Sequence, residues 1–189
     1  MEYFDVVDKN DKPTGQLTSK VGAHSDNVLH RCVAVYVFDK EGKLVVQNHK
    51  KSGLLDHSVG GHVSTGEDYA IAARREGDEE LGLIGEKLEE VCTSLYSDEN
   101  FAPGMQKYGY YHMFGIYECH PSADWKFVPN DEVEQVVPME LAEVVRLMNE
   151  TPGKFTPGFI NTMAKYLEIK QLPYTLDMAN IRKNWGKTR

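Results

Sequence analysis

Short runs of apolar residues, many of them β-branched, dominate the first third of the chain. Tyr3 to Val7 reads as a strand, and Asp8 to Gly15, with its Lys, Asn, Asp, Pro and Gly, as a turn region. Gln16 to Lys20 is expected to return as a second strand, before a loop from Val21 to Asn27 that carries His24. Leu29 to Phe38 (LHRCVAVYVF) is rich in β-branched and aromatic residues and predicts a long strand. Asp39 to Gly42 turns the chain and Lys43 to Asn48 runs back, which predicts a hairpin. Leu55 to Val63 follows and carries the pair Gly60-Gly61.

The pattern then changes to helical spacing. The run between Gly66 and Gly82 is rich in Ala, Arg, Glu and Leu, so a helix is expected from about Asp68, stopped by Gly82 in a left-handed conformation. Ala70, Ala73, Gly77 and Leu81 fall on one side, expected to pack on a core. Leu88 to Tyr96 and the aromatic Tyr108 to Glu118 read as strands, separated by a polar loop from Asp98 to Gln106. Trp125 to Pro129 chooses no element, Val133 to Val137 suits a short strand, and Met139 to Met148 a helix ended by Thr151-Pro152-Gly153. Thr156 is placed to cap a further helix that opens on Pro157 and runs to about Leu167. Pro173 to Arg189 is less periodic and reads as a docked arm or a tail. Strands, a helix, more strands and terminal helices predict one mixed α/β (α+β) domain over residues 1–170, with 171–189 as the arm or tail.

The candidate chemistry lies in the middle helix. Glu76 and Glu80 are four apart and Glu76 and Glu79 three apart, so all three carboxylates share one helical face. Their mutual repulsion costs stability unless a cation offsets it, and oxygen ligands in this number suit Mg²⁺ or Mn²⁺. Mg²⁺ in turn favours sites where carboxylates share the ion with substrate phosphates. Gly60-Gly61 lets backbone approach a ligand or ion closely.

Composition narrows the function. The 189 residues are 41% hydrophobic and 26% charged, an ordinary globular balance. A net charge of -8 argues against a general nucleic-acid or anionic-membrane binder. The three cysteines, Cys32, Cys92 and Cys119, suggest a reducing compartment rather than a disulfide framework. The first fifteen or so residues lack a signal-peptide apolar core, and no stretch is long enough to span a bilayer, so a cytoplasmic protein without membrane contact is expected.

The stretch Gly61 to Leu83 resembles the Nudix box, G-x5-E-x7-R-E-U-x-E-E-x-G-U with U a bulky apolar residue: Gly61, Glu67, Arg75, Glu76, Glu79, Glu80, Gly82 and Leu83 occupy its fixed positions. Seven are single-residue requirements, and at roughly 5–7% usage each a chance match in one register is on the order of 10⁻⁸ or less. One position departs, Gly77 standing where an apolar residue belongs, which is expected to leave a small packing gap. Asp5-Val6-Val7-Asp8, Leu29-His30-Arg31, Val59-Gly60-Gly61-His62 and Phe155-Thr156-Pro157 further resemble the Nudix branch related to isopentenyl-diphosphate isomerase, over roughly residues 2 to 168.

The resemblance implies a Nudix α/β/α sandwich with a mixed sheet and Mg²⁺-dependent cleavage of a pyrophosphate bond in a nucleoside diphosphate-linked or related small molecule. It implies that Glu76, Glu79 and Glu80 hold Mg²⁺ (or Mn²⁺) with the Gly60 carbonyl, that Glu76 is the first choice of base, and that Arg75 and Glu67 orient the loop and helix. Some members take another carboxylate from a distant loop, for which Asp131, Glu132 and Glu118 are candidates. Lys50, Lys51 and Lys107 are candidate phosphate contacts, and Tyr108, Tyr110, Tyr111 and Phe114 candidate stacking partners, of which about half must face the core. His24, His30 and His62 match positions that bind a metal in the isomerase branch. That branch supplies a rival activity, disfavoured because Gly60 stands where the isomerase has its acid/base cysteine, and neither Cys32 nor Cys92 is placed in sequence to replace it. A non-catalytic ligand-binding module is the third reading. Homodimers are common in the family, although no stretch here specifies an interface.

Overall fold

The computed structural model describes residues 2–49, 52–97 and 111–187. In chain order the elements are β1 (Tyr3–Val7), β2 (Pro13–Ser19), α1 (Lys20–Ser25), β3 (His30–Val37), β4 (Leu44–Asn48), β5 (Leu55–Asp56), β6 (Val59–His62), α2 (Tyr69–Leu81), β7 (Leu88–Ser97), β8 (His112–Cys119), β9 (Val136–Met139), α3 (Leu141–Glu150), α4 (Pro157–Ile169) and α5 (Met178–Asn184). The main sheet has the order β2-β1-β3-β8-β7, with β6 also paired to β3. β3 and β8 run parallel and the remaining pairs antiparallel, so the sheet is mixed. A second, three-stranded sheet has the order β5-β4-β9.

β3 organises the sandwich because both of its faces are apolar. Val33, Val35 and Val37 pack with Ala72, Ala73 and Leu81 of α2. Tyr36, on the alternate face, packs with Ile116 of β8 and Phe159, Ile160 and Met163 of α4. Helices therefore cover both faces of a mixed sheet, the α/β/α arrangement. No helix among the described residues is long and apolar enough to cross a membrane.

Several expected boundaries are corrected. Val21 to Asn27 is largely helical rather than a loop, because the Ser19 hydroxyl accepts the Gly22 N–H and starts α1. β2 begins at Pro13, and the hairpin after β3 closes only at the Phe38–Leu44 bridge before β4 joins the second sheet. The short strand moves from Val133–Val137 to Val136–Met139, since Asn130 holds Val133 in a turn. Ala70 is exposed, and Ala72 takes the core position beside Ala73. Gly77 leaves no gap: Leu83 fills the space, its Cδ1 3.3 Å from where a Cβ would stand. Lys50, Lys51, Lys107, Tyr108, Tyr110 and the 98–106 loop lie outside the described residues, as does the side chain of His24.

The last stretch docks as an arm. Leu176, Ile181 and Trp185 are buried in the same core as α4, and the Trp185 indole N–H donates to the Phe155 carbonyl at 2.9 Å. Trp185→Ala removes this anchor and its packing, and is expected to cost about 3–5 kcal/mol of unfolding free energy in a urea titration. A loss under about 1 kcal/mol would show that the arm contributes little to the fold.

Candidate active site

α2 is held at both ends by local chemistry. The Asp68 carboxylate accepts the Ile71 N–H, and Gly82, at φ 64°, closes the helix in the left-handed region. Between these caps the helix aims its acidic face at β6 and at the loop before β9.

Arg75 fixes the helix against the preceding segment. Its guanidinium donates two bonds to the Glu67 carboxylate (3.0 and 2.9 Å), one to the His62 carbonyl (2.9 Å) and one to Glu76 Oε1 (2.8 Å). Burial opposes the charge on Glu67, but the bonds from Arg75 and from the Ser64 N–H outweigh it and keep its carboxyl below the usual range. Glu76 then lies directly on the β6 backbone. A Cβ on Gly61 would stand 1.9 Å from its carboxyl carbon, so only glycine fits there.

Glu80 reaches the same place from one turn further on. Its Oε2 accepts from Gln47 Nε2 on β4 (2.6 Å) and from the Gly60 N–H (3.2 Å). The third carboxylate comes from the loop before β9. Asn130 donates its side-chain N–H groups to the Glu79 and Glu80 carbonyls at the end of α2, and its Oδ1 accepts the Glu132 and Val133 N–H groups. This brackets Glu132 against the helix. Carboxylate oxygens of Glu76, Glu80 and Glu132 lie within 4.8 Å of one another. Such a set of hard oxygen donors fits a divalent cation shared with phosphate.

Glu79 stands apart from this group. At 3.6 residues per turn it and Glu80 project to opposite sides of Glu76, and only the Glu80 side faces β4 and Glu132. Glu79 is exposed and pairs with Arg75 at 3.3 Å. Glu118 is also elsewhere, buried under α4 with Tyr166, His120 and Lys170 around its carboxylate. Phe114 is buried against His57 and His112, a core position rather than a stacking platform, while Tyr111 packs beside Tyr96 and Asp131 stays exposed next to Glu132.

Burial dominates the electrostatics of the carboxylate group. It raises Glu76 despite Arg75, and pushes Glu80 up to about 8 despite the bonds from Gln47 and Gly60. For Glu80 the folded-state value exceeds the ordinary 4.5, so its contribution to stability is complete below pH 4.5 and is lost as pH rises through about 8. Thermal melts of metal-free protein are therefore expected to fall from pH 5 to pH 9 (both approximate endpoints) more steeply than those of Glu80→Gln, and saturating Mg²⁺ should shrink the difference. Equal slopes for the two proteins would contradict the buried, proton-holding carboxyl.

His30 and His62, two of the three histidines that the resemblance singles out, lie in a second polar group on the opposite face of the sheet, joined there by Cys32 and His112, which the sequence did not point to. His30, Cys32, His62 and His112 bring ligand atoms within 4.8 Å of one another. Register explains it: His30 is opposite His112 across β3–β8, and Cys32 is opposite His62 across β3–β6. The Cys32 thiol is raised by burial and by the charge of the Glu76 carboxylate.

A family model for the NUDIX domain matches residues 28–159, and the chain belongs to the Nudix family. An isopentenyl-diphosphate Delta-isomerase 2 of Photorhabdus laumondii is 30% identical over 164 residues, 84% of this chain and 88% of that protein. An uncharacterized Nudix hydrolase of Streptomyces coelicolor is 39% identical over 103 residues, 51% of this chain and 56% of the relative. A crystal structure from Deinococcus radiodurans shares the fold at 20% identity, with a TM-score of 0.62 over 91% of this chain and 99% of its own.

Proposed function

We propose that the protein is a Mg²⁺-dependent pyrophosphohydrolase acting on a nucleoside diphosphate-linked compound or a related small diphosphate, with Mn²⁺ able to replace Mg²⁺. The observation that carries this reading is the convergence of Glu76, Glu80 and Glu132 beside the Gly60-Gly61 backbone. Glu80 and Glu132 would hold the ion, with the Gly60 carbonyl alongside, and exposed Glu79 can serve a further ion once it leaves Arg75. The bound cation supplies charge neutralisation for the phosphates. Glu76 is assigned the proton from the attacking water, its carboxyl kept basic by burial and aimed by Arg75. Arg75 and Glu67 act by positioning.

The test is product analysis by phosphorus NMR with nucleoside diphosphates, dinucleotides, sugar nucleotides and prenyl diphosphates as substrates. Cleavage of the phosphoanhydride in any of them supports hydrolysis and names the substrate class. One observation keeps a second reading, an isomerase acting on a prenyl diphosphate: Cys32 pairs with His62 across β3–β6, and its thiol is raised by burial and by the charge of Glu76. Double-bond migration with the diphosphate intact would establish that reading and overturn hydrolysis.

A further inference from the structure

We propose that His57 is a positioning residue for the carboxylate group: with Asp56 and Thr162 it ties α4 to the strand that carries Gly60, and so sets how tightly the ion is held. The role rests on the reading of Glu76, Glu80 and Glu132 as the ion's site. His57 follows β5 directly and stands three residues before Gly60. Its ring is buried, and both ring nitrogens are engaged. Nδ1 lies 2.8 Å from Asp56 Oδ1, and Nε2 lies 2.7 Å from Thr162 Oγ1 on α4.

A continuous chain of hydrogen bonds passes through this ring. Burial opposes the charge on Asp56, but the bonds from His57 and Thr156 outweigh it and keep its carboxyl below the usual range. A carboxylate in that state only accepts, so His57 Nδ1 carries the proton between them. Asp56 Oδ1 also accepts the hydroxyl of Thr156, the N-cap of α4, at 2.7 Å. At the other end, Thr162 Oγ1 lies 2.9 Å from the Tyr36 hydroxyl on β3 and 3.0 Å from the Gly158 carbonyl of α4. The chain thus joins the cap of α4, the link before β6, the body of α4 and β3.

An apolar ring would suit the packing at this place. Phe159 and Phe114 surround His57, at ring separations of 5.1 and 5.8 Å. Buried polar groups cost desolvation that an apolar side chain avoids, and what they add is a fixed direction. Here the direction is that of the backbone entering the site.

A Cβ on Gly60 would stand 3.6 Å from His57 Nδ1, so the ring lies against Gly60. The residue between β5 and β6 is pinned as well. The Ser58 hydroxyl accepts the Val37 N–H at 2.9 Å, and the Ser58 carbonyl accepts from Gln47 Nε2 at 2.7 Å. The same Gln47 amide donates to Glu80 Oε2, as does the Gly60 N–H. Asp56 is the cross-strand partner of Gln47 in the β4–β5 register. The run from Asp56 to Gly60 is therefore fixed to α4 at one end and to Glu80 at the other. A shift of this run moves the Gly60 carbonyl and Glu80 together.

The test reads the ion directly, by electron paramagnetic resonance of free Mn²⁺ during titration into full-length, chelator-stripped protein. Glu80→Gln/Glu132→Gln gives the baseline for binding elsewhere. Thr162→Val removes the hydroxyl and keeps the shape, and should raise the dissociation constant for Mn²⁺ at the carboxylate group by about 10-fold, the low end for groups that act through a ligand. Thr162→Ser should restore most of the affinity. His57→Gln cannot bridge both partners as the ring does, and is the second variant, with the same loss expected. Leu167→Ala, elsewhere in the core of α4, should lower the melting temperature without changing Mn²⁺ affinity. Circular dichroism identifies the variants that fold. Wild-type affinity in folded Thr162→Val or His57→Gln, or an equal loss in Leu167→Ala, would overturn the positioning role and leave the hydrolase reading intact. Weakened Mn²⁺ binding in both variants, in a protein that cleaves no diphosphate, would support the positioning role while the hydrolase reading fails. Equal Mn²⁺ binding by wild type and the glutamate double variant would overturn both.

Discussion

Glu80→Gln is expected to lower kcat/KM for the pyrophosphate substrate by roughly 10²–10³-fold at a fixed, moderate Mg²⁺ concentration, the scale of losing one preorganised electrostatic group. Gln keeps the shape and can still accept from Gln47 and from the Gly60 N–H, so the fold should persist. What is lost is the charge that meets the ion. The activity should recover in part as Mg²⁺ is raised, because the ion is bound more weakly rather than excluded. Glu76→Gln should behave differently: if Glu76 takes the proton, kcat falls by about 10²–10⁴-fold and added Mg²⁺ does not restore it. A steady-state Mg²⁺ titration of both variants separates the roles, and full rescue of Glu76→Gln would remove Glu76 from the part of base.

Gly61→Ala is expected to lower kcat by about 10²-fold although it adds a single methyl group. The new Cβ would stand 1.9 Å from the Glu76 carboxyl carbon and 2.1 Å from its Oε1. Glu76 cannot withdraw freely, because Arg75 holds it and is itself doubly bonded to Glu67. Displacements near an ångström at a reacting group carry penalties of about this size. Gly77→Ala is the contrast on the same helix. Its Cβ meets only the end of the Leu83 side chain at 3.3 Å, and alanine favours helix, so turnover should stay near wild type. Equal losses in the two variants would point to a general effect on α2 rather than to the position of Glu76.

The helix and its ends were legible because they depend on local sequence, and Arg75 with Glu67 followed from the resemblance to the box. Asp68 and Gly82 mark the ends of α2 by their own chemistry, and glutamates three and four apart share a face in any helix. The identity of the third clustered carboxylate was not fixed in that way. Glu132 joins Glu76 and Glu80 through Asn130, which bonds the end of a helix about fifty residues earlier. Glu79 lies outside this cluster for a related reason: a helical face is wide, and what lies opposite decides which of its carboxylates are brought together. Gln47 was missed because its partner Glu80 is on another element, and nothing around Gln47 in sequence signals it.

The histidine and cysteine group shows the same limit for strands. Alternation places His30 and Cys32 on one face, but pairing them with His112 and His62 needs the register of β3 with β8 and β6. Parallel pairing of β3 with β8 joins residues about eighty apart, and no local signal encodes it. The docking of α5 is similar: the sequence of the stretch leaves a docked arm and a tail both open, and its seat on Phe155 is a tertiary fact. Gly77 departs from the box pattern because Leu83 turns back into the space an apolar side chain would occupy, a compensation within the box that only packing reveals.

The measurement that bears most directly on the central claim is cleavage of the phosphoanhydride in the nucleotide and prenyl diphosphate panel, read by phosphorus NMR, with chelator-stripped protein before and after Mg²⁺ is restored. It should be run beside Glu80→Gln/Glu132→Gln. The account predicts no turnover in the stripped protein, recovery with Mg²⁺ or Mn²⁺, and little recovery in the double variant. Turnover that survives chelation, or that the double variant performs as well as wild type, would contradict a reaction centred on Glu76, Glu80 and Glu132.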